Sequence, residues 1–181
     1  MRETFLKIHD FYAKILLGFA LLAGACTFAI MWVIDSNALL RKTFNTPIPA
    51  ALEITQSLLV VAIMLPFAYT LLRREHVNTV FLTSHLSASK RRWLYFFWML
   101  VGFVLFTAVT YGAFQYGLRS YRMNEQIWGA TIQFPLWPSK MAVCVGTALL
   151  SIQFLLDAIG SLLIADFHDQ PVDQTEGYAD A

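Results

Sequence analysis

The sequence predicts an all-α integral membrane protein: four transmembrane helices, short interfacial amphipathic helices, and both termini in the cytoplasm. Three observations carry that prediction. Of 181 residues, 57% are hydrophobic and only 14% charged, whereas a soluble domain carries about 25% charge because its surface faces water. Four long apolar runs follow one another, each close to the ~20 residues that a helix rising ~1.5 Å per residue needs to cross ~30 Å of hydrocarbon. The basic residues are also shared unequally among the segments between those runs, and that asymmetry sets orientation.

The elements follow in order. In segment 3–14, Phe5, Ile8 and Tyr12 share a helical face while Lys7 and Lys14 point elsewhere, as in an interfacial helix leading into a span. Residues 15–34 are 20 positions without a charge and form the first span. The second covers 50–72, entered through Ala50, Ala51, Leu52 and Glu53. Pro66 lies inside it and should bend it, because proline removes an intrahelical bond. Segment 76–89 sets Val77, Val80 and Phe81 at i, i+3, i+4 between two basic clusters. It reads as a short amphipathic helix in the cytoplasmic interface, with an irregular loop as the alternative. Residues 93–118 give a third span of 26 uncharged positions, long enough to tilt. The fourth runs 137–164, with Lys140 and Asp157 near its two ends. Residues 166–181 hold acidic groups without basic partners and read as a loose cytoplasmic tail.

Lys and Arg number eight in the amino-terminal segment, second loop and tail, against five in the first and third loops. The larger count belongs in the cytoplasm. Arg73, Arg74, Lys90, Arg91, Arg92 and Trp93 then fall at the cytoplasmic interface as lipid-headgroup anchors. The net charge of +1 leaves no nucleic-acid footprint.

Chemistry is sparse. The histidines, His9, His76, His85 and His168, lie outside the charge-free runs, so an intramembrane His pair for haem is not expected. No cofactor, zinc spacing, phosphate loop or nucleophile elbow is expected either. Cys26 and Cys144 sit in apolar runs and read as small hydrophobes; residues 22–26 resemble a lipoprotein cleavage site only faintly, with Ala23 where a large aliphatic residue belongs. Glu53 and Asp157 fall near span boundaries and read as helix-end or subunit-contact groups rather than a proton relay. Gln115 and Gln153 are candidates to bond across helices, and the pairs Ala20/Gly24, Ala25/Ala29, Ala113/Gly117 and Ala142/Gly146 permit close helix approach. These features describe a packing subunit rather than an enzyme or a complete carrier.

Three ordered stretches narrow the reading. Arg41-Lys42-Thr43-Phe44-Asn45-Thr46-Pro47-Ile48-Pro49 precedes Glu53; His76-Val77 follows the second span; Phe134-Pro135-Leu136-Trp137-Pro138 precedes Gly146 and the run 149–156. Together, on a four-helix plan, they resemble the small membrane (DctQ) subunit of TRAP transporters, the tripartite ATP-independent periplasmic carriers. The resemblance implies a bacterial inner-membrane subunit of a sodium-coupled importer of organic acid anions. Its partners would be a large elevator-type membrane subunit, a periplasmic substrate-binding protein and membrane lipids. Some members of that family are fused to the large subunit; with four spans, this chain is expected to be the separate form. Arg41, Lys42, Arg119 and Arg122 become candidates to meet the binding protein, with plain solvation as the alternative. Glu53 becomes a candidate to bond the large subunit or Arg41. Family members often carry an acid after the His-Val pair, where this chain has Asn78-Thr79-Val80, so no contact of that acid transfers. The competing class is a membrane anchor for a redox enzyme, which haem absorbance would favour.

Overall fold

The computed structural model describes residues 2–73, 88–127 and 133–163. Four helical spans account for nearly all of them: α1 (Arg2–Phe44), α2 (Ala51–Met64) continued by α3 (Phe67–Leu72), α4 (Ala88–Arg122) and α5 (Trp137–Leu163). All four are long and apolar enough to cross a membrane, so the all-α, four-span expectation holds.

α1 runs 43 residues without a break between segment 3–14 and span 15–34. At ~1.5 Å per residue it is roughly 64 Å long, about twice the hydrocarbon thickness. Its buried stripe is Phe5, His9, Tyr12, Ala13 and Leu16. Spacings of three and four residues hold such a stripe on one face. Ile8, grouped by sequence with Phe5 and Tyr12, is 53% exposed, and His9 takes the inward position. The helix ends at Asn45, whose φ of 53° is the left-handed conformation of a helix stop. Pro47 and Pro49 prevent its resumption. Ile48 N donates to Asn37 Oδ1 at 2.7 Å, folding the short connection back onto α1.

Pro66 splits the second span as its chemistry requires. Leu65 N still reaches Val61 O (3.2 Å) and Thr70 N reaches Pro66 O (3.0 Å). Proline has no N–H to give the carbonyl four residues earlier, so the helix turns there and restarts as α3. The turn aims Ala68, Leu71 and Leu72 into the core, where they meet Tyr12, Ala13 and Leu16 of α1 and Leu150 of α5.

α5 is the central helix. It packs along α4 and also against α2, α3 and, more lightly, α1, and 39% of its most apolar window is buried against 0% for α4. Tyr12 Oη donates to Leu149 O at 2.6 Å, and Phe5 packs on Leu156, so α1 begins where α5 ends. We call that the proximal end of the bundle and the opposite one distal. Segment 74–87, with Arg74 and most of the interfacial segment expected at 76–89, lies outside the described residues, as do the loop 128–132 and the tail expected at 166–181.

Candidate functional site

The α4–α5 hairpin is held by shape and by hydroxyls. Gly102 faces the Phe154 ring, where a Cβ would come within 2.7 Å, and Gly117 faces Met141. Phe154 stacks on Phe106, ring centres 5.5 Å apart and planes 17° from parallel. Between these contacts Thr107 Oγ1 and Ser151 Oγ share a hydrogen bond of 2.8 Å. Thr110 Oγ1 donates to Thr147 Oγ1 at 3.1 Å. Gln115 and Gln153, expected to bond across helices, bond along their own instead. Gln115 Nε2 donates to Tyr111 Oη (3.2 Å) and Gln153 Nε2 to Asp157 Oδ1 (2.9 Å). Short hydroxyl side chains suit a seam where the backbones approach closely, and a longer amide reaches more easily along its own helix.

Asp157 is 3% exposed and Gln153 0%. The carboxylate therefore turns into the chain's own bundle. Ser161, one turn further on, is buried too, so positions 153, 157 and 161 form one inward polar stripe. Glu53 lies in the first turn of α2, partly exposed, where a negative charge complements the helix dipole. Among the described residues it forms no ion pair with Arg41.

The four distal cations fall into two separate pairs. Arg41 and Lys42 are exposed in the last turn of α1, and Arg119 and Arg122 in the last turn of α4. α1 and α4 have no substantial packing against one another, so the structure does not gather the four into one patch. Each pair also sits where a helix C-terminus favours positive charge.

Sequence reasoning missed the ion pair of this distal end. Lys140 Nζ donates to Glu125 Oε2 and lies 3.9 Å from the Tyr116 ring centre. Leu136 N donates to Glu125 O and Ile127 N to Phe134 O, with a single antiparallel bridge between Gln126 and Pro135. Tyr121 meets Trp137 edge-on at 5.5 Å. The hydrogen bond from Lys140, above all, holds the Glu125 carboxyl below its ordinary range. The available signal was two opposite charges placed just after one span and just inside the next.

At the proximal end the expected headgroup anchors divide. Arg73 Nε donates to Tyr69 Oη at 2.9 Å, and its guanidinium lies 5.3 Å from that ring centre. Lys90 and Trp93 are exposed and Arg91 half-buried. Arg92 is different: it donates to the carbonyls of Ser161 and Leu162, closing the last turn of α5, whose carbonyls have no intrahelical donors.

Four helices of membrane-crossing length around a central α5, with hydroxyls paired along the seam and charges gathered at helix ends, define a multi-pass membrane protein that leaves broad apolar faces uncovered. Its family is also shown. A model of the DctQ component of tripartite ATP-independent periplasmic transporters matches residues 30–163, and the chain belongs to that family. No curated protein matches the chain. As a DctQ component it is a membrane subunit of a transporter whose other parts are a large membrane subunit and a binding protein. Residues 5–16 precede the match yet share its core through Tyr12 and Leu16, so they belong to the same folded unit.

Proposed function

We propose that this chain is the fixed scaffold subunit of a sodium-coupled TRAP importer of an organic acid anion, in the bacterial inner membrane. It packs on the large elevator-type subunit, anchors it among lipids and helps seat the substrate-binding protein. The observation that carries the reading is the uneven packing of the helices. α5 is the most covered helix, though Val145, Ile152 and Ile159 remain exposed on it, while α1 and α4 leave apolar side chains such as Leu21, Phe28, Trp32, Trp98, Val104 and Tyr111 uncovered. Contiguous apolar faces of this extent need lipid or a partner helix against them. A frame against which another subunit moves needs such faces together with interfacial aromatic and basic residues that resist tilt.

Both termini lie in the cytoplasm on the count of flanking cations. The distal pairs Arg41/Lys42 and Arg119/Arg122 then face the periplasm, where acidic groups of the binding protein are their partners. Sodium coupling and an organic acid substrate are carried by family membership alone. The test is gentle solubilisation of a carboxyl-terminally tagged chain and identification of what co-elutes in stoichiometric amount. A large multi-span membrane protein is the expected partner; a haem protein, or this chain alone under several mild detergents, overturns the scaffold reading. Charge reversal at Arg41/Lys42 and separately at Arg119/Arg122 tests docking: transport should then need more binding protein, with subunit assembly unchanged.

A further inference from the structure

A cavity of about 220 Å³ lies at the proximal end, lined by Arg92, Trp93, Phe96 and Leu162. It is remote from the hydroxyl seam and from the distal cations. Arg92 fixes its polar side. With Nε and Nη2 bonded to Ser161 O and Leu162 O, the guanidinium is held against the end of α5. An arginine carries five N–H groups in a planar fork, so after these two bonds three N–H groups remain on a side chain that lines the cavity. A guanidinium already immobilised loses little further freedom on meeting a second acceptor.

The remaining walls are apolar. Trp93 stands edge-on to Phe96, ring centres 5.9 Å apart and planes at 89°, and Leu162 completes the lining. Beyond the cavity, Trp93, Phe97, Leu100 and Val104 are exposed at four-, three- and four-residue steps up α4, a continuous apolar track on one helix face. Lys90 and Arg91 precede Arg92, and α4 contains no acidic residue. The end of the cavity is therefore cationic and its extension is oily.

We propose that this cavity seats the headgroup phosphate of an anionic phospholipid. Planar N–H pairs match phosphate oxygens in a bidentate fashion, so Arg92 bonds the phosphate. Lys90 balances the remaining charge, and an acyl chain follows the Trp93–Val104 track. A free phosphate ion would leave that track bare, which is why a lipid is the better occupant. The inference rests on reading α4 as a membrane span, and Trp98, one turn deeper than Trp93 on that helix, separates the two.

The purified transporter subunit is placed in nanodiscs containing, at equal low mole fraction, brominated phosphatidylglycerol or brominated phosphatidylcholine. Quenching is assigned to each residue by difference from Trp93→Phe and Trp98→Phe. Expected is several-fold stronger quenching of Trp93 by the brominated phosphatidylglycerol, reduced in Lys90→Gln and abolished in Arg92→Gln, with Trp98 quenched comparably by both lipids. Lys90 is exposed, so its variant tests the site even where Arg92→Gln loosens the end of α5. Equal quenching of Trp93 by the two lipids, with Trp98 still quenched, overturns the seat. Loss of the preference on adding inorganic phosphate, at an ionic strength matched with chloride, overturns the lipid in favour of a free anion. Absence of quenching at Trp98 overturns the spanning reading of α4 itself.

Discussion

Gly146 and Met64 meet backbone to backbone where α5 crosses the end of α2. A Cβ at position 146 would stand 2.4 Å from the Met64 carbonyl oxygen and 2.9 Å from its Cβ. The obstacle is main chain, one residue ahead of the Leu65–Pro66 turn, and main chain cannot rotate aside. The crossing of these helices, and with it the direction in which α3 enters the core, depends on the missing side chain.

Gly146→Ala should therefore destabilise the protein by about 1–3 kcal/mol, the usual cost of overpacking a well-filled contact. Gly24 is the control, since nothing lies within 4 Å of a Cβ there. Gly24→Ala should be neutral or stabilising by up to ~1 kcal/mol, through lost flexibility of the unfolded chain. Thermal unfolding in one mild detergent compares them. Equal shifts in the two variants would mean that α2 and α5 do not cross at Gly146.

The hydroxyl seam should prove individually weak. Thr110 Oγ1 lies 2.7 Å from Phe106 O and Thr147 Oγ1 2.9 Å from Val143 O, so each has a fallback acceptor on its own helix. Hydrogen bonds between transmembrane helices average about 0.6 kcal/mol for that reason. A double-mutant cycle of Thr107→Val and Ser151→Ala should give a coupling near that value. Phe154→Ala, which empties the space between Gly102 and Phe106, should cost about 2–3 kcal/mol, below the ~3–5 kcal/mol of a fully buried ring because this one is only partly buried. A hydroxyl coupling larger than the Phe154 effect would reverse this ranking.

The sequence made some of this legible and hid the rest for identifiable reasons. The spans announce themselves because charge is costly in lipid, and Pro66 interrupts the second because a missing N–H acts locally. Of the four small-residue pairs, Ala113/Gly117 and Ala142/Gly146 include a glycine in close contact, whereas Gly24 faces open space; spacing alone cannot say which face another helix will cover. Position along the span places Asp157 near the boundary but says nothing of the direction in which its carboxylate points. Its four-residue spacing from Gln153 and Ser161 marked one face, and that face is inward. Arg92 resembles its neighbours Lys90 and Arg91 in sequence, and only the arrival of the α5 terminus beside it supplies the carbonyls that hold it. Likewise the inward face of residues 3–14 is set by Leu156 against Phe5 and by α3 against Tyr12 and Ala13, and no pattern within residues 3–14 contains those partners.

Ala50 precedes α2 with φ of 58° and ψ of 21°. A side chain with a Cβ strains the left-handed conformation by roughly 1–2 kcal/mol, and asparagine tolerates it better. Ala50→Gly should raise stability by up to about 1 kcal/mol, while Ala50→Val should lower it. Asn45, also left-handed at 53°, should gain less from the same glycine substitution. A loss of thermal stability in Ala50→Gly would show that the turn between α1 and α2 is not held in this conformation.

Glu125 fixes the sign of an acid response at the distal end. Its carboxylate accepts from Lys140 and its main chain pairs with Leu136, so the ion pair and the closure of the 125–136 connection stand together. The bond from Lys140 lowers the carboxyl below its ordinary range. A group depressed on folding stabilises the fold above its unfolded pKa, about 4.3 for glutamate, and loses that contribution as pH falls through the folded value. The closure should therefore hold unchanged from neutral pH to about 5 and loosen below ~4. The side chain is 43% exposed, so the effect is modest and weakens with salt. Trp137, edge-on to Tyr121 beside this pair, reports it by fluorescence. The wild type should show an acid transition that Glu125→Gln lacks, because glutamine holds no proton to exchange. A transition of equal size in both proteins, or one centred above pH 5, would place its origin outside the Glu125–Lys140 pair.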